Sequence, residues 1–408
     1  MALAREEVQR LRLAETGKYR ALLAGIMRLA RSGVPARGRA LKDAYLLLAR
    51  IEQDAPRTVA ELVEAPQFGA WANDVLHQLR TPDEAGGRGT LEGDLGRLSL
   101  FAASAAIKNA YPLDMEVPLT DGTVSFPALG TLRLDAGPGR RWARVRQDCA
   151  AYRVQAGESG APLPGALTRT RYWSPVPRVT VTERGLVLDV LLDGQDPFLD
   201  RYGAPRSQVG GAELDRWRRL LGEAWTLLAG RHPELATLVA DTVRTVVPLA
   251  SPAAVSGPAS ATEETSFGAI GLAMPSDSLE MAESLVHESH HAIVGALTDL
   301  EPLISPGDQE FLGHAPWRED PRPPHALLHG VYAHHAMGRF WRAQCQEGAP
   351  ADRQRARVRF GRLRRMLADA IPVLLNSGQL TEAGLDVLTP IAAEVAEWQA
   401  ESLQEPGQ

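Results

Sequence analysis

The segment LVHESHH at residues 285–291 contains the side chains that most directly suggest chemistry. His287 and His291 are four positions apart, and Glu288 directly follows the first histidine. Residues four apart on an α-helix lie one above the other, so the two imidazoles can bind one divalent ion. Glu288 would then stand beside the ion, where a carboxylate can orient or deprotonate a bound water. The spacing therefore predicts a metal centre built on a helix.

The sequence around the motif indicates where this helix begins. Asp277 is a suitable N-cap, and Glu280 follows three residues later as its capping-box partner. Apolar residues then recur with helical spacing through and beyond the motif. They are Leu279, Ala282, Leu285, Val286, Ile293 and Leu297.

Histidines are concentrated in one part of the chain, because eight of the ten lie between residues 287 and 335. His290, three positions after His287, is a weaker alternative for the second ligand position. Taken singly, His290, His325 and His335 are expected to be solvated or core side chains rather than ligands. The eight are His287, His290, His291, His314, His325, His329, His334 and His335.

A third ligand is expected from the segment PPHALLHGVYAHHAMGRFW at 323–341. A helix can start near Pro324, because proline is favourable in the first turn. At about 100° per residue, His329 falls within a stripe of small and apolar residues that would allow close packing on the motif helix. His334 lies about 140° away by the same geometry. These angular positions on the helix favour His329 as the third ligand, with His334 as the alternative.

Two arginines lie between the predicted helices, in the segment APWREDPRPP at 315–324. Arg318 and Arg322 flank the acidic residues Glu319 and Asp320. An arginine near a metal can clamp a substrate carboxylate with two parallel hydrogen bonds. The alternative is a surface loop with internal salt bridges.

The composition and hydrophobic periodicity of the chain change twice, and together they predict an α+β fold that is mostly helical. Residues 1–110 read as a helical N-terminal region, and 111–210 as a middle region that contains β-hairpins. Residues 211–408 read as a mainly helical region that carries the metal site. Within the middle region, hairpins are expected over 115–134 and 178–192, around Asp-Gly and Arg-Gly turns.

Composition excludes several classes of function. The formal net charge is -6 with both signs spread along the chain, so no nucleic-acid partner is expected. No apolar run approaches the ~20 residues that a membrane span needs, and the N-terminus lacks the apolar core of a signal peptide. Two cysteines, Cys149 and Cys345, are too few for a disulfide framework. A cytoplasmic protein without a membrane partner is the expectation.

Three blocks of sequence in a fixed order resemble the HExxH motif peptide-modification family, the α-ketoglutarate-dependent HExxH-type peptide β-hydroxylases. The blocks are SATEETSFGAIGLAMPSDSLEMAESLVHESHHAIVGALTDL, APWREDPRP and LLHGVYAHHAMGRFWR. The strong resemblance covers roughly residues 260–345. Similar stretches at DGTVSFPALGTLRL and ELDRWRRLLGEAWTLL extend it over much of the chain.

The resemblance implies a dioxygenase that uses Fe(II), α-ketoglutarate (2-oxoglutarate) and O₂ to hydroxylate a β-carbon of a ribosomally synthesised precursor peptide. Arg318, Arg322 and Tyr332 would be the cosubstrate-binding residues. Three histidines depart from the two histidines and one carboxylate that such iron enzymes usually present. Members of the family often carry glutamine at the position of His329 and a histidine like His334, so both candidates stay open.

Two other functions fit the same residues. A zinc metallopeptidase would use Glu288 as the general base toward zinc-bound water. A protein that recognises a peptide without chemistry would use the metal to stabilise its fold and the β-containing region to add a peptide strand. In the hydroxylase, by contrast, Glu288 would orient a ligand or a water near the metal.

Overall fold

The computed structural model shows an α+β protein that is mostly helical, as the sequence predicts. Helices are concentrated at both ends of the chain, and small β-sheets occupy the middle. Cys149 lies outside the described residues, whereas Cys345 is described and is a free thiol. The structure describes residues 5–33, 35–81, 90–148, 151–202, 208–250, 260–306 and 311–401, without the side chains of 31–39.

The described N-terminal residues form six helices, which confirms the helical region predicted there. Proline occupies the first helical position of α3 and α4, where its missing N–H costs no hydrogen bond. Residues 98–106 of α6 are all buried, so this helix packs inside the N-terminal part. The bounds are α1 Arg5–Gly33, α2 Pro35–Asp54, α3 Pro56–Val63, α4 Pro66–Arg80, α5 Leu91–Gly96 and α6 Leu98–Lys108.

Two antiparallel sheets follow, with the strand orders β1-β4-β5-β6 and β2-β3-β7. Asp121 and Gly122 form a tight turn with φ of 49° and 72°, and one bridge between Thr120 and Thr123 closes it. β1 then leaves to pair with β4, while β2 pairs with β3, so the hairpin predicted over 115–134 is only partly correct. The strands are β1 Asp114–Pro118, β2 Thr123–Phe126, β3 Gly130–Arg133, β4 Trp142–Asp148, β5 Ala151–Ala156, β6 Ser159–Pro162 and β7 Trp173–Pro175.

The second predicted hairpin is confirmed. β8 (Arg178–Glu183) and β9 (Leu186–Leu192) pair antiparallel along their whole length. Arg184 and Gly185 connect them with φ of 49° and 79°, the conformation that two-residue hairpin turns favour.

A five-stranded sheet of order β11-β12-β10-β9-β8 crosses the boundary predicted at residue 210. The region after 211 therefore also contains strands: β10 (Thr245–Leu249), β11 (Ser260–Ala261) and β12 (Ala269–Ala273). β10 pairs parallel with both β9 and β12. All five residues of β10 and of β12 are buried, so neither strand shows the polar–apolar alternation that reveals a half-exposed strand in a sequence.

The described part of the C-terminal region contains six helices, one of which carries the motif at 287–291. A helix starting at Pro324 confirms the start predicted there. None of the described helices has the length and apolar character of a membrane span. Including a short 3₁₀ helix at Pro197–Tyr202, the bounds are α7 Gly211–Arg231, α8 Pro233–Thr242, α9 Ser278–Leu300, α10 Pro324–Glu347, α11 Pro350–Leu375 and α12 Glu382–Ala400.

The start of the motif helix α9 is fixed by its cap. Asp277 accepts a hydrogen bond from the backbone N–H of Glu280 at 2.9 Å, as predicted. The Glu280 carboxylate accepts from the backbone of Ser276 rather than of Asp277, at 3.0 Å, so the reciprocal bond is displaced by one residue. Arg355 of α11 pairs with both carboxylates and ties this end of α9 to the C-terminal helices.

Candidate metal centre

One cavity of about 430 Å³ brings together most of the predicted site residues. It lies between α9, α10, the segment before β12 and the loop that joins α9 to α10. The predicted residues that line it are His287, Glu288, His291, Arg318, Arg322, His329 and His334.

His287 and His291 face each other with their ring nitrogens close together. Their Nε2 atoms are 3.2 Å apart. Two nitrogens that bind one ion tetrahedrally, each at ~2.0–2.1 Å, lie about 3.4 Å apart. The buried Nδ1 atom of His287 has no hydrogen-bond partner among the described residues, so hydrogen bonding alone leaves this ring unsatisfied. The pair therefore fits a shared ion.

The two candidate third ligands lie at different distances from this pair. Rings that share one ion through Nε2 have centroids about 5 Å apart, given metal–nitrogen bonds of ~2.0–2.1 Å. The His334 centroid is 5.1 Å from that of His287, and the His287–His291 separation is 4.6 Å. The His329 centroid is 6.4 Å from that of His291. Both candidates reach the same cavity, and the ring distances favour His334.

His334 is held from two sides. Its Nδ1 atom is 2.7 Å from the carbonyl oxygen of Gly330, so an Nδ1–H donates there and leaves Nε2 free to bind an ion. The indole of Trp317 stacks on the imidazole with centroids 4.4 Å apart and planes 20° apart. Gly330 also makes room for this indole, because a Cβ atom at 330 would overlap the Trp317 ring.

Burial keeps these imidazoles neutral. It lowers the pKa of His287 and of His291 well below the usual value, and it lowers the pKa of His334 to about 4. The pKa of His329 is also lowered, again chiefly by burial. Neutral imidazole is the form that binds a metal ion, so at neutral pH no proton has to leave these rings first.

Glu288 is buried beside the pair, with 2% of its surface exposed. Its Oε2 atom accepts a hydrogen bond from the hydroxyl of Thr262, which also lies 3.3 Å from the Glu288 carbonyl oxygen. Its Oε1 atom is 3.8 Å from Nε2 of His287. One carboxylate oxygen is thus anchored, while the other lies near the histidine pair.

Arg318 and Arg322 both line the cavity, and both contact Asp320. Nε of Arg318 is 2.7 Å from Oδ1 of Asp320, and Nη1 of Arg322 is 3.0 Å from Oδ2. The hydrogen bond from Arg318 is the main reason that the pKa of Asp320 is lowered. The internal salt bridges that formed the alternative interpretation of the sequence are present, and both arginines nevertheless line the cavity.

Other candidates lie away from the cavity. Tyr332, predicted to bind the cosubstrate, packs its ring 5.7 Å from that of His290 and does not line the described cavity. Nδ1 of His290 is 2.7 Å from the Val286 carbonyl. His335 is 2.9 Å from the Glu394 carboxylate. His290 and His335 are core histidines, as the sequence indicates, and His325 is exposed.

Three residues of the cavity were missed in the sequence. Thr262 holds Glu288, Trp317 supports His334, and Glu15 of α1 lines the wall. Thr262 and Trp317 lie within the sequence blocks that carry the family resemblance, which is the one signal that could have identified them. Nothing in the sequence near Glu15 indicates a site.

The cavity fits a metal ion through two ligands already placed and a third nearby. Within the described ranges, no three His, Cys, Asp or Glu side chains are arranged as a complete ligand set. His287 and His291 supply two of the nitrogens, and His334 or His329 is the candidate for the third. Comparison with protein-family models and with curated proteins gives no match for this chain. Function is therefore inferred from the cavity and from the motif blocks of the sequence.

Replacing His334 with alanine should weaken Fe(II) binding far more than replacing His329, because His334 lies at ligand distance from the pair. The measurement is anaerobic titration of each variant with Fe(II), with His287→Ala and His291→Ala as variants that should lose most of the metal. If His329→Ala has the larger effect, His329 is the third ligand and the ring distances mislead.

Gly330→Ala should weaken metal binding about 10- to 100-fold, the usual effect of disturbing a group that orients a ligand. The added methyl group displaces Trp317, which supports His334. Gly295→Ala is the matched control, because its Cβ would meet His329 at 3.9 Å, an ordinary contact. Equal affinities in the two variants, both folded by circular dichroism, would show that the Trp317 support is irrelevant.

Proposed function

We propose that this protein is an Fe(II)- and α-ketoglutarate-dependent dioxygenase that hydroxylates a β-carbon of a ribosomally synthesised peptide. The observation that carries the proposal is the composition of one cavity. Neutral imidazoles able to hold an ion and two guanidinium groups able to hold a carboxylate line the same 430 Å³. The sequence blocks that resemble the HExxH-type peptide β-hydroxylases contribute both sets of side chains.

His287, His291 and His334 would hold the ion. Fe(II) held there would, with α-ketoglutarate and O₂, supply the oxidising power for hydroxylation, with succinate and CO₂ as the co-products. The protein orients the ligands: Gly330 fixes the tautomer of His334, and Trp317 fixes the plane of its ring. Three ligands would leave coordination positions open for a cosubstrate. Because all three are neutral, an anionic cosubstrate would be favoured there.

Arg318 and Arg322 would bind the distal carboxylate of α-ketoglutarate. Their N–H groups already contact one carboxylate, that of Asp320, so the geometry for an oxygen anion exists in the loop. Asp320 is half exposed and can move into solvent when a cosubstrate carboxylate takes its place. The exchange conserves the ionic contacts of both arginines.

Glu288 would orient a bound water or ligand. The hydroxyl of Thr262 holds one of its oxygens, so the carboxylate cannot swing away from the histidine pair. Hydroxylation removes a hydrogen atom from the substrate, so this step requires no side-chain base. A peptide partner in a cytoplasmic setting belongs to the same proposal.

A zinc metallopeptidase is the second candidate, and the position of Glu288 favours it. Oε1 of Glu288 lies 3.8 Å from His287 Nε2, close to where a water on the shared ion would be. A carboxylate in that place can accept a proton from the water that attacks a peptide bond. The two arginines have no obvious task in that reaction, which is why the hydroxylase is preferred.

Glu288→Gln separates the two candidates. In the hydroxylase this variant should keep measurable succinate formation, reduced about 10- to 100-fold, since the amide can still hydrogen-bond to Thr262. In the peptidase it should abolish hydrolysis while the ion stays bound. The assay is mass spectrometry of a candidate precursor peptide incubated with Fe(II), α-ketoglutarate and air.

One added oxygen on an intact chain supports the hydroxylase. Two shorter peptides, formed by the parent protein without α-ketoglutarate and absent with Glu288→Gln, would establish the peptidase instead. Thr262→Val, which removes the hydrogen bond to Glu288 but keeps the carboxylate, should show a milder loss than Glu288→Gln in the peptidase.

Arg318→Ala and Arg322→Ala should each raise the KM for α-ketoglutarate about 10- to 100-fold. Each variant loses a charge-assisted hydrogen bond to the cosubstrate carboxylate, which is worth ~1.5–3 kcal/mol. Asp320→Asn should lower the KM about 2- to 5-fold, because it removes a competing carboxylate at an exposed site. Steady-state succinate production measures both, and Fe(II) titration is the control for the metal. Unchanged KM in all three variants would place the carboxylate anchor elsewhere.

A further inference from the structure

A second cavity, of about 820 Å³, lies away from the histidines. One wall is a face of the β8–β9 hairpin, and the opposite wall comes from α3, α4 and the end of α6. This volume is within the ~300–1,000 Å³ that ligand sites occupy. Neither the metal site nor the sequence motifs account for it.

The hairpin presents one partly uncovered face to this cavity. Val187, Asp189 and Leu191 of β9 line it, whereas the alternating residues Leu188 and Val190 are buried against the C-terminal helices. Val187, the second residue of β9, is 44% exposed although it is apolar and pairs with Thr182 of β8. The apolar part of the wall is completed by Ile107, Leu129 and Leu167.

Most charges around this cavity are neutralised by neighbours. Arg178 of β8 contacts Asp189 at 2.6 Å, Lys108 contacts Glu61 at 3.3 Å, and Arg12 pairs with Glu64. Each acidic side chain of the lining therefore has a cationic partner.

Arg244 is the exception. Its guanidinium donates through Nη1 to the carbonyl oxygens of Ala240 and Val243, at 2.6 and 3.1 Å, and through Nη2 to that of Asp241, at 3.1 Å. No carboxylate in the described ranges lies within ion-pair distance of it, although the charges of Asp241, Glu64 and Asp189 raise its pKa from farther away. A guanidinium has five N–H donors, so two remain for a ligand. Burial lowers the pKa of Arg244 to about 10, a value that still leaves it charged at neutral pH.

We propose that this cavity binds a carboxylate-bearing apolar segment of the peptide partner, with the carboxylate on Arg244 and apolar side chains against Val187 and Leu129. A half-buried cation whose described hydrogen bonds all go to backbone carbonyls can still form a direct ion pair with a carboxylate, and little solvent screens such a pair. The apolar walls supply the rest of the contact area. The carboxylate belongs either to an Asp or Glu side chain or to a chain terminus.

The position of this cavity links it to the metal site. A small cavity of about 10 Å³ shares lining residues with both: Arg12, Glu64 and Arg244 with the large cavity, and Glu15 and Phe267 with the cavity around the histidines. Arg12 and Glu15 are about one turn apart on α1. A peptide anchored at Arg244 is thus held beside the metal cavity. The identification of the ligand as the peptide partner rests on the proposed function. The binding of a carboxylate at Arg244 does not depend on it.

The test is fluorescence anisotropy with metal-free protein and three labelled pentapeptides. The first is N-acetylated, C-amidated Gly-Leu-Glu-Leu-Gly. The second replaces its Glu with Gln, and the third is this Gln peptide with a free C-terminal carboxylate. The Glu peptide should bind at least about 10-fold more tightly than the amidated Gln peptide. If the free-acid Gln peptide binds as tightly as the Glu peptide, the site takes a terminal carboxylate.

Arg244→Gln should abolish the preference for the carboxylate peptide. Val187→Asp should weaken binding of the Glu peptide, and because Val187 is exposed it should leave the core packing unchanged. Arg219→Gln, an exposed arginine of α7, is the matched control and should bind as the parent does. Equal binding of all three peptides to the parent, or an unchanged preference in both cavity variants, would overturn the proposal. Since no turnover is measured, failure of the hydroxylase assay leaves this result intact, and the reverse also holds.

Discussion

A single buried hydrogen bond sets which residues of α10 face the motif helix. Nε1 of Trp341 donates to Oε1 of Glu283 at 2.7 Å. Glu283 lies one turn before His287 on α9, and His334 lies two turns before Trp341 on α10, so each pair shares a helix face. Because the helices run antiparallel, this contact brings His334 opposite His287. His329, twelve residues from Trp341, is rotated by about 120° from that face and lies farther from the pair.

The N-terminal helix α1 completes the metal cavity, so the site is not confined to the region that carries the motif. Glu15 lines the wall, and Lys18 bridges Glu15 and Asp299 of α9 at 2.6 Å to each. Tyr19 accepts a hydrogen bond from the backbone N–H of Phe267 at 2.9 Å. These contacts hold α1 against both the motif helix and the segment that precedes β12. The predicted boundaries at 110 and 210 therefore describe changes in composition, while the packing runs across them.

Local signals predicted local structure well, and tertiary contacts decided the rest. The cap at Asp277 and the turn at Arg184 depend on neighbours in sequence, and both are found as predicted. β10 was not predicted, because a five-residue strand that is buried on both faces does not show alternating polar and apolar residues. In the site, the i, i+4 pair followed from helix pitch alone. A helical wheel gives angles within α10 but not its rotation against α9, so it could not rank His334 against His329.

The charge of the candidate ligand set explains why anion-binding groups belong in the same cavity. Two histidines and a carboxylate would cancel part of the charge of a divalent ion, whereas three neutral imidazoles leave it whole. In the proposed dioxygenase, a doubly charged ion in this buried cavity would need an anionic ligand from outside, and α-ketoglutarate would supply one that reaches from the ion to a distant cation. Thr262 holds Oε2 of Glu288, and Oε1 lies 3.8 Å from Nε2 of His287, so this carboxylate stays beside the proposed ligand pair. Because Glu15, Glu263, Glu264 and Glu288 also line this cavity, Arg318 and Arg322 would favour a dicarboxylate by direct contact with its distal end, while the ion would bind the other end.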